Sequence, residues 1–300
     1  MLESHLGELY ALGTAVCWTV TVMAFEASGR RIGSFPVNII RLCMAFLMFC
    51  ALSALVRGNP LPVDASAHNW LWLSLSGLVG FVMGDLLLFR SFVVVGSRVA
   101  MLMMALVPPV TAVIGWGVLG ETLSGRELLG MLVTIAGIAM VVLERNPSGA
   151  REIRFRHPAG GMLLAFGGAV GQATGLVLSK YGMNGYSPFF STQIRVIAAI
   201  GAFAVILLAL RGRRRSVLRA LGNGKALLLA GLGATFGPFL GVSLSLLAVR
   251  HTQTGVASTI MALVPVLVIA PAAMLFRERV TTREVIGAFI AVSGVAVLFM

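Results

Sequence analysis

Met104-Ala-Leu-Val-Pro108 recurs letter for letter as Met261-Ala-Leu-Val-Pro265, 157 positions further along the chain. At the same offset Glu121 meets Glu278, Arg126-Glu127 meets Arg283-Glu284, and Gly80, Gly84, Gly130 and Gly137 meet Gly237, Gly241, Gly287 and Gly294. Earlier in each half the offset is 154: Gly13 answers to Gly167, Arg41 to Arg195 and Arg57-Gly58 to Arg211-Gly212. A three-residue insertion or deletion between the second and third apolar segments explains the change. Agreement over so many ordered positions marks a tandem duplication.

Each half reads as five membrane-spanning helices. A helix crossing a hydrocarbon core of ~30 Å needs about 20 apolar residues. Ten such stretches stand near 8–28, 35–56, 70–92, 98–119, 127–144, 159–179, 188–210, 226–249, 255–276 and 284–300. They are too long for strands and lack the alternation of a membrane barrel. Composition agrees: 58% of residues are apolar and 11% charged, with a mean hydropathy of +0.95. A soluble domain carries about 25% charged residues; here lipid must cover the surface instead. Residues 1–150 and 151–300 are the expected halves. Five is odd, so the second half threads the bilayer in the opposite sense to the first. The expected fold is therefore all-α and integral to the membrane: ten transmembrane helices as two inverted five-helix repeats around a central cavity. That is the plan of many secondary transporters, whose site lies near the midplane where the repeats meet.

The net charge of +12 does not point to nucleic acid. The only lysines are Lys180 and Lys225, and the arginines cluster in short gaps between apolar runs, without the interleaved aromatics of a nucleic-acid face. One side of the membrane receives sixteen basic residues, the other only Arg57, Arg126, Lys180 and Arg250. The positive-inside rule then puts the 145–158 and 211–225 loops in the cytoplasm and both termini outside a multi-pass protein of the cell (inner) membrane. Cys17, Cys43 and Cys50 sit in apolar segments and read as small fillers. No HExxH, GxSxG or His/Cys cluster with metal spacing is present, so no enzyme, metal or cofactor is expected. Gly222-Asn-Gly-Lys225 is followed by Ala226 where a phosphate loop needs Ser or Thr, which argues against ATP.

Three elements resemble the EamA-type, ten-helix branch of the drug/metabolite transporter superfamily, over essentially the whole chain. They are a first helix with a mid-helix tryptophan (Ala15-Val-Cys-Trp18) followed by Arg41, the paired Ala105–Pro108 and Ala262–Pro265 elements, and Gly120-Glu-Thr-Leu123 echoed by Arg277-Glu-Arg-Val280. The resemblance implies metabolite transport, often export of amino acids or toxic compounds, through a cavity lined by helices one to four and six to nine. The chain departs from it where Gln172 stands in place of a second-half tryptophan, and in termini that the charge count puts outside.

Ionisable groups inside a bilayer cost a few kcal/mol each and are functional candidates by default. Asp85 is expected roughly 6 Å from the midplane at 1.5 Å per residue, either facing substrate or a proton, or pairing a buried arginine. Glu26 is expected to bridge to Arg41 across the intervening turn, ahead of a substrate role. Lys180 and Arg195 have no local acid; they either receive a substrate carboxylate, with Asp85 or Glu26 meeting an ammonium, or snorkel to the interface. Pro108, Pro238 and Pro265 fall near the middle of their helices and read as hinges or as static kinks. Trp18 and Gln172 are further cavity candidates.

The reading is a secondary transporter of small organic metabolites, most of all an exporter of amino acids, with the lipid bilayer as its surroundings. Proton coupling through Asp85 and facilitated movement both remain open, as do monomer and homodimer. The alternatives are a flippase for amphiphilic or lipid-linked compounds and a non-transporting scaffold. Cysteines introduced into the 211–225 loop are expected to resist impermeant thiol reagents applied to intact cells; ready labelling would reverse the predicted orientation.

Overall fold

Backbone amides in lipid find no water, so long apolar segments satisfy them internally by coiling. The computed structural model describes residues 5–88, 90, 91, 94, 103–144, 159–267, 269, 271 and 281–299. The stretches 145–158 and 272–280 and the side chain of Glu26 lie outside the described residues. Ten principal helices follow one another: α1 (Leu6–Ile32), α2 (Ser34–Arg57), α3 (Ala67–Leu88), α4 (Val107–Leu119), α5 (Gly125–Glu144), α6 (Ala159–Met183), α7 (Pro188–Ala209), α8 (Gly224–His251), α9 (Thr254–Leu267) and α10 (Thr282–Leu298). No strand occurs among the described residues. By length and composition α1, α2, α3, α6, α7 and α8 can each cross a membrane, and α4, α9 and α10 are shorter apolar helices.

Local chemistry sets the ends. Gly33, Gly58 and Gly120 take positive φ values of 87°, 72° and 69°, closing α1, α2 and α4 where a side chain would be strained. Ser66 and Asn69 form a reciprocal capping box that opens α3. The predicted 211–225 gap contains a short exposed helix, Arg211–Ala220, between α7 and α8.

The packing obeys a two-fold exchange of the halves. α1 lies against α8 and α9, while α6 lies against α3 and α4. The pairs α2–α7, α4–α9 and α5–α10 map onto themselves. The two repeats thus interlock rather than forming separate lobes. The helix ends agree with inverted threading, because ends that must share one face are bonded together. Thr252 after α8 donates from Oγ1 to Glu8 of α1 at 3.0 Å, and Asn69 of α3 donates to the carbonyls of Gly182 and Met183 at the end of α6 at 2.8 and 2.9 Å. On the same face Arg57, Asp64 and Tyr186 clamp α2 to the α6–α7 loop. Burial, then the Asp64 carboxylate beside it, pushes the Tyr186 phenol up to about 12, so it stays a donor. At the opposite face Ser28 of α1 donates to the Ala226 carbonyl of α8 at 2.9 Å.

Two irregularities repeat at the offset of 157. α3 and α8 each widen into a π-helical segment, Leu78–Gly84 and Thr235–Gly241. Before Pro108 and Pro265 the chain makes a tight turn at 105–106 and 262–263, closed by Leu106 N to Met103 O at 3.0 Å and Leu263 N to Ile260 O at 3.1 Å. The expectation of mid-helix kinks is corrected here. Pro108 and Pro265 stand in the first turn of a fresh helical segment, where the missing N–H costs nothing. Pro238 does lie inside its helix, within the π segment of α8.

Small residues allow the closest approaches. A Cβ added at Gly175 would come within 3.0 Å of Gly80 Cα, and one at Gly171 within 2.8 Å of Gly84 Cα, so α3 and α6 touch backbone to backbone. At Gly137 of α5 an added Cβ would sit 2.6 Å from the Gly287 carbonyl oxygen and 2.7 Å from Ala291 Cα of α10. Backbone cannot swing aside as a side chain can. Gly137→Ala is therefore expected to destabilise by about 1–3 kcal/mol through overpacking, whereas Gly201→Ala, whose Cβ meets nothing within 4 Å, should be neutral or slightly stabilising. Thermal unfolding of the two variants in the same detergent checks this.

Candidate functional site

The glycine contact between α3 and α6 positions the site. With Gly80 and Gly84 of α3 seated on Gly175 and Gly171, the next outward-reaching group of α6 is Gln172. Its Nε2 donates to Asp85 Oδ1 at 2.7 Å and lies 3.4 Å from the Gly80 carbonyl. Asp85 follows the π segment of α3 directly and is 7% exposed. Its other oxygen, Oδ2, is bridged by Arg41 Nη2 of α2. Both oxygens are thereby engaged, one from each repeat.

Arg195 of α7 completes the group. It is 5% exposed, its guanidinium stacks over the Phe81 ring with Cζ 4.5 Å from the centroid, and Nη2 lies 3.4 Å from where a Cβ on Gly80 would be. Among the described residues nothing accepts a hydrogen bond from its Nε, and the same holds for Arg41 Nε. Arg41 in turn stands 5.3 Å over the Phe25 ring. Arg41 therefore bridges the carboxylate while a second buried guanidinium lies nearby without contacting it, in a water-poor interior between the repeats. Aromatic faces supply part of the compensation.

The sequence candidates Arg41, Asp85, Gln172 and Arg195 are thus brought together. Trp18 holds the place in the first repeat that Gln172 holds in the second. Its ring packs on Gly241 of the α8 π segment, as Gln172 packs on Gly84 of the α3 one. Arg41 pairs with Asp85, because α3 delivers a carboxylate directly beside it; the expected bridge from Arg41 to Glu26 involves a side chain outside the described residues. One expectation needs correction. Lys180 is not without an acid: its Nζ donates to Glu121 Oε1 at 2.6 Å and to the Thr252 carbonyl at 2.7 Å. Among the described residues no hydrogen bond joins Pro108, Pro238 or Pro265 to these groups; the prolines shape the helices in which they stand.

Lys180 belongs to a second cluster that sequence reading missed. Glu121, in the α4–α5 loop, accepts through Oε2 from the backbone N–H and hydroxyl of Thr254 at 2.8 and 2.6 Å. Thr252 extends the chain to Glu8. The cluster ties the α4–α5 loop to the end of α6, the α8–α9 turn and the start of α1, so it joins the repeats at the face bearing the N-terminus. Gly115 makes room for it: a Cβ there would fall 3.0 Å from Glu121 Oε2. The available signal was Glu121 itself, which repeats as Glu278, but nothing local in sequence connects it to Lys180 across 59 positions. No group of three or more His, Cys, Asp or Glu able to hold a metal occurs among the described residues.

A family model, the EamA-like transporter family, matches the chain twice, over residues 5–143 and 159–300. One solved crystal structure superposes with a TM-score of 0.74 at 16% sequence identity, covering 97% of this chain and 95% of that one. At that identity the likeness concerns the fold alone. The comparison with curated proteins gives no match.

The Glu121–Lys180 pair can be tested by a double-mutant cycle. Its side chains are 14% and 24% exposed, so each partner left alone is a poorly solvated charge. Glu121→Gln and Lys180→Met should each destabilise, and the double variant should recover part of the loss, with a coupling of about 1–3 kcal/mol. Chemical or thermal unfolding of the four proteins measures it; additive effects would mean the contact is energetically idle.

Proposed function

This chain belongs to the EamA-like transporter family and is a membrane transporter of small molecules, and from that premise we propose that it exports amino acids or related carboxylate-bearing metabolites by alternating access. The observation that carries the reading is Arg195: a buried guanidinium, beside an Asp85 already engaged by Arg41 and Gln172, with an unpartnered Nε among the described residues. A buried cation without its own acceptor is costly. A substrate carboxylate would supply that acceptor as a charge-assisted, two-point contact. A substrate ammonium would then compete with Arg41 for Asp85, and breaking that bridge would couple binding to movement of α2 against α3.

Inverted repeats provide the motion. Two packings related by exchanging the halves have similar energy, so a modest bias from substrate suffices to move between them. In this reading the Glu121–Lys180 cluster latches the pathway at the face that carries the N-terminus, and the opposite, arginine-rich face is cytoplasmic in the inner membrane. The paired π segments of α3 and α8 flank the site, and such widened turns recur at functional positions. Asp85 is also the first candidate for carrying a proton, with movement down the substrate gradient alone as the other driving mode. Residues 1–150 and 151–300 would be the two repeats whose exchange of packing supplies the motion.

Protein-only liposomes loaded with amino acids test this. Asp85→Asn leaves Arg41 without its counter-charge, which costs about 3–5 kcal/mol for a buried pair, and flux is expected to fall at least about tenfold, with an altered pH profile. Undiminished flux with the same pH profile would remove Asp85 both as ligand and as proton carrier. Absence of flux for every amino acid and cationic drug tried, by an intact wild-type protein, would remove the transport assignment to this class.

A further inference from the structure

We propose that the cleft between the end of α1 and the short helix Arg211–Ala220 is a binding site for an anionic phospholipid of the surrounding leaflet. Three guanidinium groups converge there: Arg31 from α1, and Arg215 and Arg219 from successive turns of the short helix, above Ser216 and Asn223. Arg215 and Arg219 are four residues apart and so share one helical face. None of the three has an ion-pair partner among the described residues. Like charges are not gathered without a counter-ion at no cost, and this arrangement lacks an acid of its own.

Sequence shows that neighbouring acids cannot balance the face. Sixteen basic residues fall on it against five acids, Glu26, Glu144, Glu152, Glu278 and Glu284, so even complete pairing would leave a surplus of eleven cations. Phosphate oxygens are the acceptors whose geometry arginine matches best. What distinguishes a lipid from a free phosphate is the adjoining surface. A second cleft shares Gly212 and Ser216 with the first and is lined by Arg213 and, on its apolar side, by Leu208, Ala209 and Leu210, of which Leu208 and Leu210 are 80% and 52% exposed. The ligand that fills both has an anionic head and a hydrocarbon tail. The short helix sits between α7 and α8, at the boundary of the apolar spans, where a headgroup would stand. A lipid bound there would clamp the α7–α8 connection to α1.

The test is a titration of the delipidated full-length protein in detergent with phosphatidylglycerol, phosphatidylcholine or inorganic phosphate, followed by native mass spectrometry. Each basic side chain near an anionic headgroup contributes a few-fold in affinity, so three together should favour phosphatidylglycerol over phosphatidylcholine by on the order of a hundredfold. Arg31→Ala/Arg215→Ala/Arg219→Ala should abolish that preference, while Arg214→Ala/Lys225→Ala, on the same face but outside the cleft, should leave most of it. Leu208→Ser/Leu210→Ser should weaken phosphatidylglycerol without changing any binding of phosphate. Equal binding of the two lipids by the wild-type protein would overturn the proposal whatever the variants do. Displacement of phosphatidylglycerol by millimolar phosphate would also overturn it, reducing the site to one for a free anion. Retention of the preference by the triple variant would place the lipid elsewhere.

Discussion

The backbone contact between α3 and α6 is the constraint on which the interior depends. Gly175 and Gly171 of α6 press on Gly80 and Gly84 of α3 with no room for a Cβ of their own, and packing rather than the hydrophobic effect holds helices together in lipid. That closeness is what lets a side chain as short as Gln172 reach across to Asp85 at 2.7 Å. It also exposes the Gly80 carbonyl, at the start of a widened turn, to the same amide. Asp85 is then held from both repeats at once, by Gln172 of the second and Arg41 of the first. A larger residue at Gly171 or Gly175 would push the helices apart and leave a buried carboxylate and two guanidinium groups poorly matched.

Duplication supplies the frame, and departures from it supply the chemistry. Gly237 and Gly241 of α8 meet Thr21 and Trp18 of α1 as Gly80 and Gly84 meet Gly175 and Gln172. Yet the position of Asp85 is taken in the second repeat by Val242, and that of Gln172 in the first by Trp18. One half of the interior is thus ionic and the other aromatic and apolar. Arg41 and Arg195 are retained in both, which is why one carboxylate faces two guanidinium groups. The latch is asymmetric in the same way: Lys180 has an acid, Glu26, at its repeat-related position. A bundle with perfect internal symmetry would have no preferred ligand polarity and no bias between its two packings. Here each substitution breaks that degeneracy.

Much of this was legible in the letters. The repeated Met-Ala-Leu-Val-Pro element, the paired glycines and the odd helix count gave the duplicated, inverted plan, because these constraints are periodic and act on backbone; that the repeats interlock depends on contacts no local spacing encodes. Four of the charged or amide candidates met at one place, because an ionisable group in lipid has few affordable positions. What local spacing could not supply was pairing. Asp85 lies 44 positions from Arg41 and is brought to it by the packing of α3. Lys180 and Glu121 lie 59 positions apart in different repeats. Proline misled for a related reason. A mid-segment Pro108 suggests a kink when the whole apolar run is taken as one helix, whereas the turn at Ala105-Leu106 restarts the helix and puts the proline where it is harmless. The local sequence Ala-Leu-Val-Pro does not announce that restart.

The two polar clusters differ in what their burial demands of them. Around Glu121 every acceptor has a donor: Lys180, the Thr254 amide and the Thr254 hydroxyl together engage both carboxylate oxygens. That is a closed network, and closed networks rigidify. Around Asp85 the acceptor side is exhausted while the donor side is in excess, with Nε of both Arg41 and Arg195 unpartnered among the described residues. An unfinished network in a low-dielectric interior is a poor structural device, since each orphaned donor costs more than a satisfied one returns. Its persistence at the contact of two repeats is intelligible if a further acceptor arrives in the working cycle. The latch and the open centre are then complementary parts of one machine, one gaining stability from being complete and the other gaining responsiveness from being incomplete.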